Sequence, residues 1–267
     1  MEKFSVSYSS LETYKTCPRK YFYNYILKLP RGEEKPWFVL GNFNHLILEK
    51  FFRYVIFFKT RNRSYDKKQL MYRAYESALR NYNRLYSRGL KPKLTQAQID
   101  ETRDILKGFF ESNKTIPDVL FVEKEFYIDI ADGIVLHGYI DRVDSAGEDA
   151  IRIVDYKTSK KSYKIDESIQ LDLYAIGMKR ELGDHLKIFK QLDFIKLKKS
   201  TDPNHEHEIN RENQVLEQVA KQAIEIKSKI DNGDGSDSEA WEPIDNKFCW
   251  ACDFRDTCLR DRGISFI

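Results

Sequence analysis

Apolar residues recur at spacings of three and four through residues 11–29, 38–58, 66–87 and 95–112, which predicts four helices in the first part of the chain. Pro30-Arg-Gly, Arg63-Ser-Tyr-Asp and Arg88-Gly-Leu-Lys-Pro separate them. The pattern changes at Pro117. Residues 119–130 alternate, Asp132-Gly133 marks a turn, and residues 134–143 alternate again, the signature of a β-hairpin. Gly147-Glu-Asp turns the chain into Ile151-Arg-Ile-Val-Asp-Tyr-Lys; residues 166–182 return to helical spacing and residues 185–197 to an extended run. Residues 210–230 predict a long amphipathic helix with Val215, Val219, Ile226 and Ile230 near one stripe, and residues 231–239 a polar, mobile tether. The expected fold is α/β: a central mixed sheet of about four or five strands flanked by helices. It forms one domain over residues 1–267, with a helical insertion at 50–115, a sheet core at 116–200 and a cysteine-pinned cap at 241–260.

At 41% hydrophobic and 33% charged residues, the chain has enough apolar side chains for a real core, which excludes general disorder. No apolar run reaches the roughly 18 residues that a membrane helix needs, and the opening Met-Glu-Lys-Phe-Ser-Val-Ser lacks the layout of a signal peptide. The expectation is a cytoplasmic protein with no membrane association. No G-x-x-x-x-G-K-[ST] phosphate loop occurs, so no helicase motor is fused within the chain. Charge is uneven: residues 1–120 hold 23 Lys and Arg against 12 Asp and Glu, and residues 121–267 hold 22 against 30. One half suits a polyanion, the other suits cations.

The four cysteines lie at the ends, Cys17 near the start and Cys249-x2-Cys252-x5-Cys258 near the finish. In a reducing compartment, metal or cluster ligation is favoured over disulfides. Spacing leaves zinc and an iron–sulfur cluster both open. If Cys17 joins the other three, the bond closes almost the whole chain and holds both ends together. Phe248, Trp250 and Phe254, interleaved with the thiols, are expected to shield the centre.

The second hairpin strand carries Gly138-Tyr-Ile-Asp141-Arg-Val-Asp, and the next strand Ile153-Val-Asp155-Tyr-Lys157. Strand alternation sets Asp155 and Lys157 on one face. Asp141, on the neighbouring strand, can face Asp155 across the ladder, giving hard oxygen ligands suited to Mg2+ or Mn2+. Carboxylates around such a cation, with a lysine beside them, fit phosphodiester hydrolysis. A D-x-K alone is more often a surface ion pair; the combination carries the reading. Gly41-x3-His45-x3-Glu49 and Gln170-x3-Tyr174 each place polar groups on one helical face. In the helix at 66–87, Tyr72, Tyr75, Leu79, Tyr82 and Tyr86 form one stripe and Arg73, Arg80, Arg84 and Arg88 another. Rings that stack bases beside cations that follow phosphates describe a single-strand channel. Ordinary amphipathicity, with the tyrosines in the core, is the plainer alternative.

These residues resemble the PD-(D/E)xK nucleases of the RecB and AddB type, which include CRISPR-associated exonucleases with iron–sulfur clusters. The resemblance rests on Ser7-Tyr-Ser-Ser-Leu-Glu-Thr-Tyr-Lys-Thr-Cys17-Pro-Arg-Lys-Tyr-Phe-Tyr, on residues 138–144, on Asp155-Tyr-Lys157, on Gln170 to Tyr174, and on the C-terminal cysteine spacing. It implies that His45, Asp141 and Asp155 bind the cation with help from the Tyr156 carbonyl, and that Lys157 serves the attacking water. It also implies that Gln170 and Tyr174 contact DNA and that Cys17, Cys249, Cys252 and Cys258 hold a 4Fe-4S cluster in preference to zinc. The implied activity is a divalent-metal-dependent DNA exonuclease acting on single strands or frayed ends. Its alternatives are a structure-selective endonuclease, a trimming nuclease in CRISPR spacer acquisition, and a non-catalytic DNA-binding module. A recombination or CRISPR-adaptation protein is the implied partner. The residue 50–115 stretch is longer than a minimal nuclease of this type needs.

Overall fold

The computed structural model describes residues 3–32, 34–234 and 240–264. In chain order its elements are β1 (Phe4–Ser7), α1 (Tyr8–Thr16), α2 (Pro18–Tyr21), α3 (Pro36–Lys59), α4 (Lys67–Ser87), α5 (Gln96–Ser112), β2 (Val119–Ala131), β3 (Ile134–Gly147), β4 (Ala150–Lys157), α6 (Gln170–Leu182), β5 (Lys187–Phe194), β6 (Lys199–Ser200), α7 (Glu212–Lys229) and α8 (Arg255–Asp261). The chain divides into two compact units: residues 1–33, 127–138 and 213–267 in the first, residues 34–126 and 139–212 in the second.

In the second unit, α3 starts on Pro36, whose missing N–H falls where a helix has no acceptor for one. Asp66 caps α4 by accepting from the Gln69 N–H at 2.7 Å, and Thr95 with Gln98 forms a capping box on α5. Phe43, Ile47, Phe51, Phe52 and Val55 of α3 are buried with Leu70, Ala74 and Ala78 of α4, Leu106 and Phe109 of α5, and Val154 and Tyr156 of β4. Each large apolar side chain in that core contributes about 1.5–3 kcal/mol. In this unit β3 pairs antiparallel with β4, β4 pairs in parallel with β5 along its whole length from Ala150↔Lys187 to Lys157↔Phe194, and β6 closes antiparallel on β5. A parallel pair needs a crossover, and α6 supplies it.

In the first unit, β1 lies parallel to the start of β3, Phe4 opposite Ile134 and Ser7 opposite His137. The expected helix over 11–29 is broken here. Cys17 is extended (φ −166°, ψ 107°) between α1 and α2, because the proline that follows disfavours helical backbone in the residue before it. A π-helical turn, Phe22–Ile26, follows α2. Trp241 is fully buried, its ring 5.6–6.0 Å from those of Tyr14, Tyr21 and Phe22. Its carbonyl accepts from Arg19 Nε at 2.7 Å. Val215, Val219 and Ile226 line the buried face of α7.

The structure is thus the expected α/β fold with a mixed sheet flanked by helices, although the described residues form six strands. β1 and β6 are too short to show alternation in sequence. Part of the expected tether, residues 235–239, lies outside the described residues. Among the described residues no helix is long and apolar enough to cross a membrane.

Two helical glycines are predicted to respond oppositely to alanine. At Gly177 of α6 an added Cβ would stand 2.5 Å from Phe126 Cδ2 and 3.1 Å from its Cβ, so Gly177→Ala lowers stability by about 1–3 kcal/mol. At Gly108 of α5 the added carbon meets the exposed Lys198 side chain, which swings aside, and Gly108→Ala raises stability by up to about 1 kcal/mol. Urea unfolding midpoints of the two variants check both signs.

Candidate active site

The β3–β4 register pairs Arg142 with Val154 and Val143 with Ile153, and one further step sets Asp141 opposite Asp155. Asp141 Oδ2 accepts from the Tyr156 N–H at 2.7 Å and lies 3.5 Å from His45 Nδ1. Lys157 Nζ stands 2.7 Å from Asp155 Oδ2 and donates to Gln170 Oε1 at 2.8 Å. Gln170 Nε2 in turn donates to the Tyr174 hydroxyl at 2.7 Å. His45, Asp141, Asp155, Lys157, Gln170 and Tyr174 are therefore brought together. Three elements do this: the β3–β4 ladder, α3 and the first turn of α6.

Close packing sets α3 in place. A Cβ on Gly41, one turn before His45, would meet Thr158 Oγ1 at 3.0 Å, so the glycine lets the helix approach the end of β4. On the other side of β4 the Tyr156 side chain is buried, with Phe109 at 6.3 Å between ring centroids. Its hydroxyl accepts from Arg142 Nη1 at 2.6 Å. Arg142 is held bidentate by Asp144 at 2.9 and 3.0 Å, with its guanidinium 4.6 Å from the Phe52 ring centre. Leaving such a buried charge without its partner costs about 3–5 kcal/mol. This clamp fixes one face of the ladder while the other presents Asp141 and Asp155.

The polar face is short of positive charge. Burial pushes the Asp155 carboxyl up to about 6; the Lys157 ammonium opposes this and the Asp141 charge adds to it. Burial would lower His45, but Asp141, with Asp155 and Glu123, holds it above its usual value. Lys157 is held above its ordinary range because Asp155 outweighs its burial.

Glu123 of β2 belongs to the same cluster. Burial, Asp141 and Glu49 push its carboxyl up to about 7. Sequence alternation missed it. The buried positions of β2 run Val119, Val122, Phe126, Ile128, a break of period at Glu123, whose backbone is left-handed (φ 50°). A left-handed residue inside a strand re-aims the side chains around it and leaves little trace in an alternating pattern.

The cysteines form a separate group within the first unit. Cys17, Cys249, Cys252 and Cys258 are all unpaired and half-buried, and they line one cavity of about 80 Å³ together with Arg19 and Arg262. Burial, reinforced by the charge of Cys17, raises the thiols of Cys252 and Cys258. Phe254 is buried beside them, but Phe248 and Trp250 are 60% and 75% exposed. The expected aromatic shield is thus one ring rather than three, because Phe248 and Trp250 lie at a tight helical turn, Cys249–Ala251, that turns them outward. Among the described residues no three His, Cys, Asp or Glu side chains stand in a ready-made metal geometry.

The tyrosine stripe of α4 divides. Tyr75 and Tyr82 are core residues against Phe43, while Tyr72 and Tyr86 are exposed. Arg73 and Arg80 line a surface groove, and Arg84 is exposed on the same helix.

The family profile described as the PD-(D/E)XK nuclease superfamily matches residues 5–259. The chain belongs to the PD-(D/E)XK nuclease superfamily. It is 25% identical over 203 residues to an ATP-dependent helicase/deoxyribonuclease subunit of Lactococcus lactis subsp. cremoris SK11, covering 71% of this chain and 17% of that protein. The exonuclease/helicase subunit RexB of strain MG1363 matches to the same extent. The like-named helicase/deoxyribonuclease subunit of Streptococcus pyogenes serotype M3 is 22% identical over 191 residues, covering 70% of this chain and 16% of that protein. The chain spans about a sixth of the length of these relatives. A crystal structure from Eubacterium rectale that carries a provisional exonuclease name superposes with a TM-score of 0.53 at 13% identity, covering 94% of this chain and 87% of that one. That likeness concerns the fold. Nuclease chemistry follows from the family.

Proposed function

We propose that this nuclease is a divalent-cation-dependent deoxyribonuclease that hydrolyses phosphodiester bonds from the ends of single-stranded or frayed DNA. The observation that carries the reading is the meeting of Asp141, Asp155 and Lys157 at one point of the β3–β4 ladder. The donor set fits a hard cation: the carboxylates of Asp141, Asp155 and the nearby Glu123, which repel one another, with the imidazole of His45 and the ammonium of Lys157 beside them. Mg2+ or Mn2+ held there by His45, Asp141, Asp155 and the Tyr156 carbonyl would polarise the phosphate and acidify the attacking water.

The chain's own residues do the rest. Asp155 keeps Lys157 protonated, and Gln170 holds the ammonium from its other side. There Lys157 orients the water and steadies the charge that grows on the phosphate oxygens as the bond breaks. Tyr174, buried with its ring against Phe126, accepts from Gln170 and fixes that amide at the edge that would meet the strand. The relatives' names join nuclease to helicase, and a partner that unwinds DNA would supply the single strands this site prefers. Asp155→Ala is predicted to lower cleavage of end-labelled single-stranded DNA in manganese by at least about 10²–10³-fold, while leaving binding in calcium intact. Circular single strands stay uncut. Unchanged cleavage by the variant, or opening of the circle, contradicts the assignment.

The four thiols are proposed to hold a 4Fe-4S cluster in preference to zinc. A shared cavity and the flanking Arg19 and Arg262 suit an anionic thiolate-bound group. When bound, the group clamps the first unit. Protein purified without oxygen is expected to show broad visible absorbance and about four irons per chain. Cys17→Ala loses both and melts at lower temperature. A colourless protein with stoichiometric zinc contradicts the cluster.

A further inference from the structure

Beyond the catalytic cluster, the second unit carries a large open groove between the C-terminal half of α3 and the start of α4. Its volume is about 880 Å³, and Arg53, Phe57, Arg63, Tyr72, Arg73 and Arg80 line it. Four of these six are arginines. The acidic side chain on the lining is Glu76, 3.9 Å from Arg80. Arg63 and Arg73 have no acidic partner among the described residues. Two rings are exposed between the cations, Tyr72 at 66% and Phe57 at 43%, the Phe57 ring carrying the Arg61 guanidinium over one face at 3.9 Å and leaving the other for a base. Exposed aromatic side chains of this size are placed against water at a cost, and here they are interleaved with guanidinium groups.

The groove and the candidate active site share α3. His45, Glu49, Arg53 and Phe57 follow one another at four-residue steps, the ridge that winds slowly around a helix. At 1.5 Å per residue, the rise from His45 to Phe57 is about 18 Å. Glu49 holds Arg53 at 2.8 Å, and both act electrostatically on Glu123 of the catalytic cluster. One ridge of α3 therefore begins at the cation-binding residues and ends at the groove.

We infer that this groove is the path of the single DNA strand on its way to or from the nuclease site, with Arg63, Arg73 and Arg80 following phosphates and Phe57 and Tyr72 stacking bases. The chemistry matches: base–aromatic stacking tolerates any sequence, and a row of arginines follows a backbone without reading it. Tyr75 and Tyr82, buried in the core, take no part. The inference rests on the nuclease reading of the site.

The test measures binding of fluorescent oligothymidylates in calcium, with a short oligonucleotide confined to the catalytic cluster and a longer one that also reaches the groove. Wild-type protein is expected to bind the longer strand more tightly. Tyr72→Ala and Arg63→Ala each weaken binding of the longer strand by about tenfold and leave that of the short one unchanged, and Tyr72→Phe restores it. Arg63→Ala also lowers the slope of log affinity against log salt by about 0.7, the value of one phosphate contact on a single strand. Photocrosslinking of iodouracil-containing strands to wild-type protein is expected at Tyr72 or Phe57. Wild-type affinity and salt slope in both variants, or equal losses on blunt duplex DNA, overturn the inference. A wild-type protein that binds as described but cuts no strand in manganese overturns the nuclease reading instead.

Discussion

Two carboxylates face each other across the β3–β4 ladder, and their repulsion is the constraint around which the second unit is arranged. Asp141 is held by the Tyr156 N–H and Asp155 by the Lys157 ammonium. Burial leaves Asp155 with a carboxyl pushed up to about 6. A fold driven by stability alone would replace such a pair by apolar residues. The arrangement stands because the opposite face of the same strands is locked by Arg142, Asp144 and Tyr156, and because α3, α5 and β4 share one apolar core. The core fixes the strand register, and the register decides which charges meet.

The same logic explains which parts were legible in the sequence. A strand repeats every two residues, so Asp155-Tyr-Lys157 could be given a common face and Asp141 a place opposite it from the pattern alone. Helical spacing only put His45 on a face with Glu49 and Gln170 on one with Tyr174, and it was the family resemblance that drew them to this site. Glu123 was not readable, since its position depends on a left-handed residue inside β2. Nor were β1 and β6, each too short to carry a period. The tyrosines of α4 show the limit of helical patterns: Tyr75 and Tyr82 turn inward and Tyr72 outward, and only packing against Phe43 distinguishes them.

The first unit depends on a different economy of interactions. Trp241 brings the C-terminal segment into a nest of rings from α1, α2 and the turn after them, and the Tyr23 hydroxyl donates to Asp261 at 2.6 Å. Four thiols collect beside that nest, one of them delivered by the break at Cys17 that Pro18 enforces. Residues more than 200 positions apart in the chain are thereby neighbours within one unit. A segment as small as the cap gains its stability from such staples, whether aromatic or metallic.

The central claim is that Asp141 and Asp155 form one hard-cation site. Calorimetric titration of manganese into wild-type protein and into the Asp141→Asn, Asp155→Asn double variant tests it without any reaction. The account predicts saturable binding by wild-type protein and none by the variant, with both equally folded by circular dichroism. Equal manganese affinity in the two proteins would contradict it.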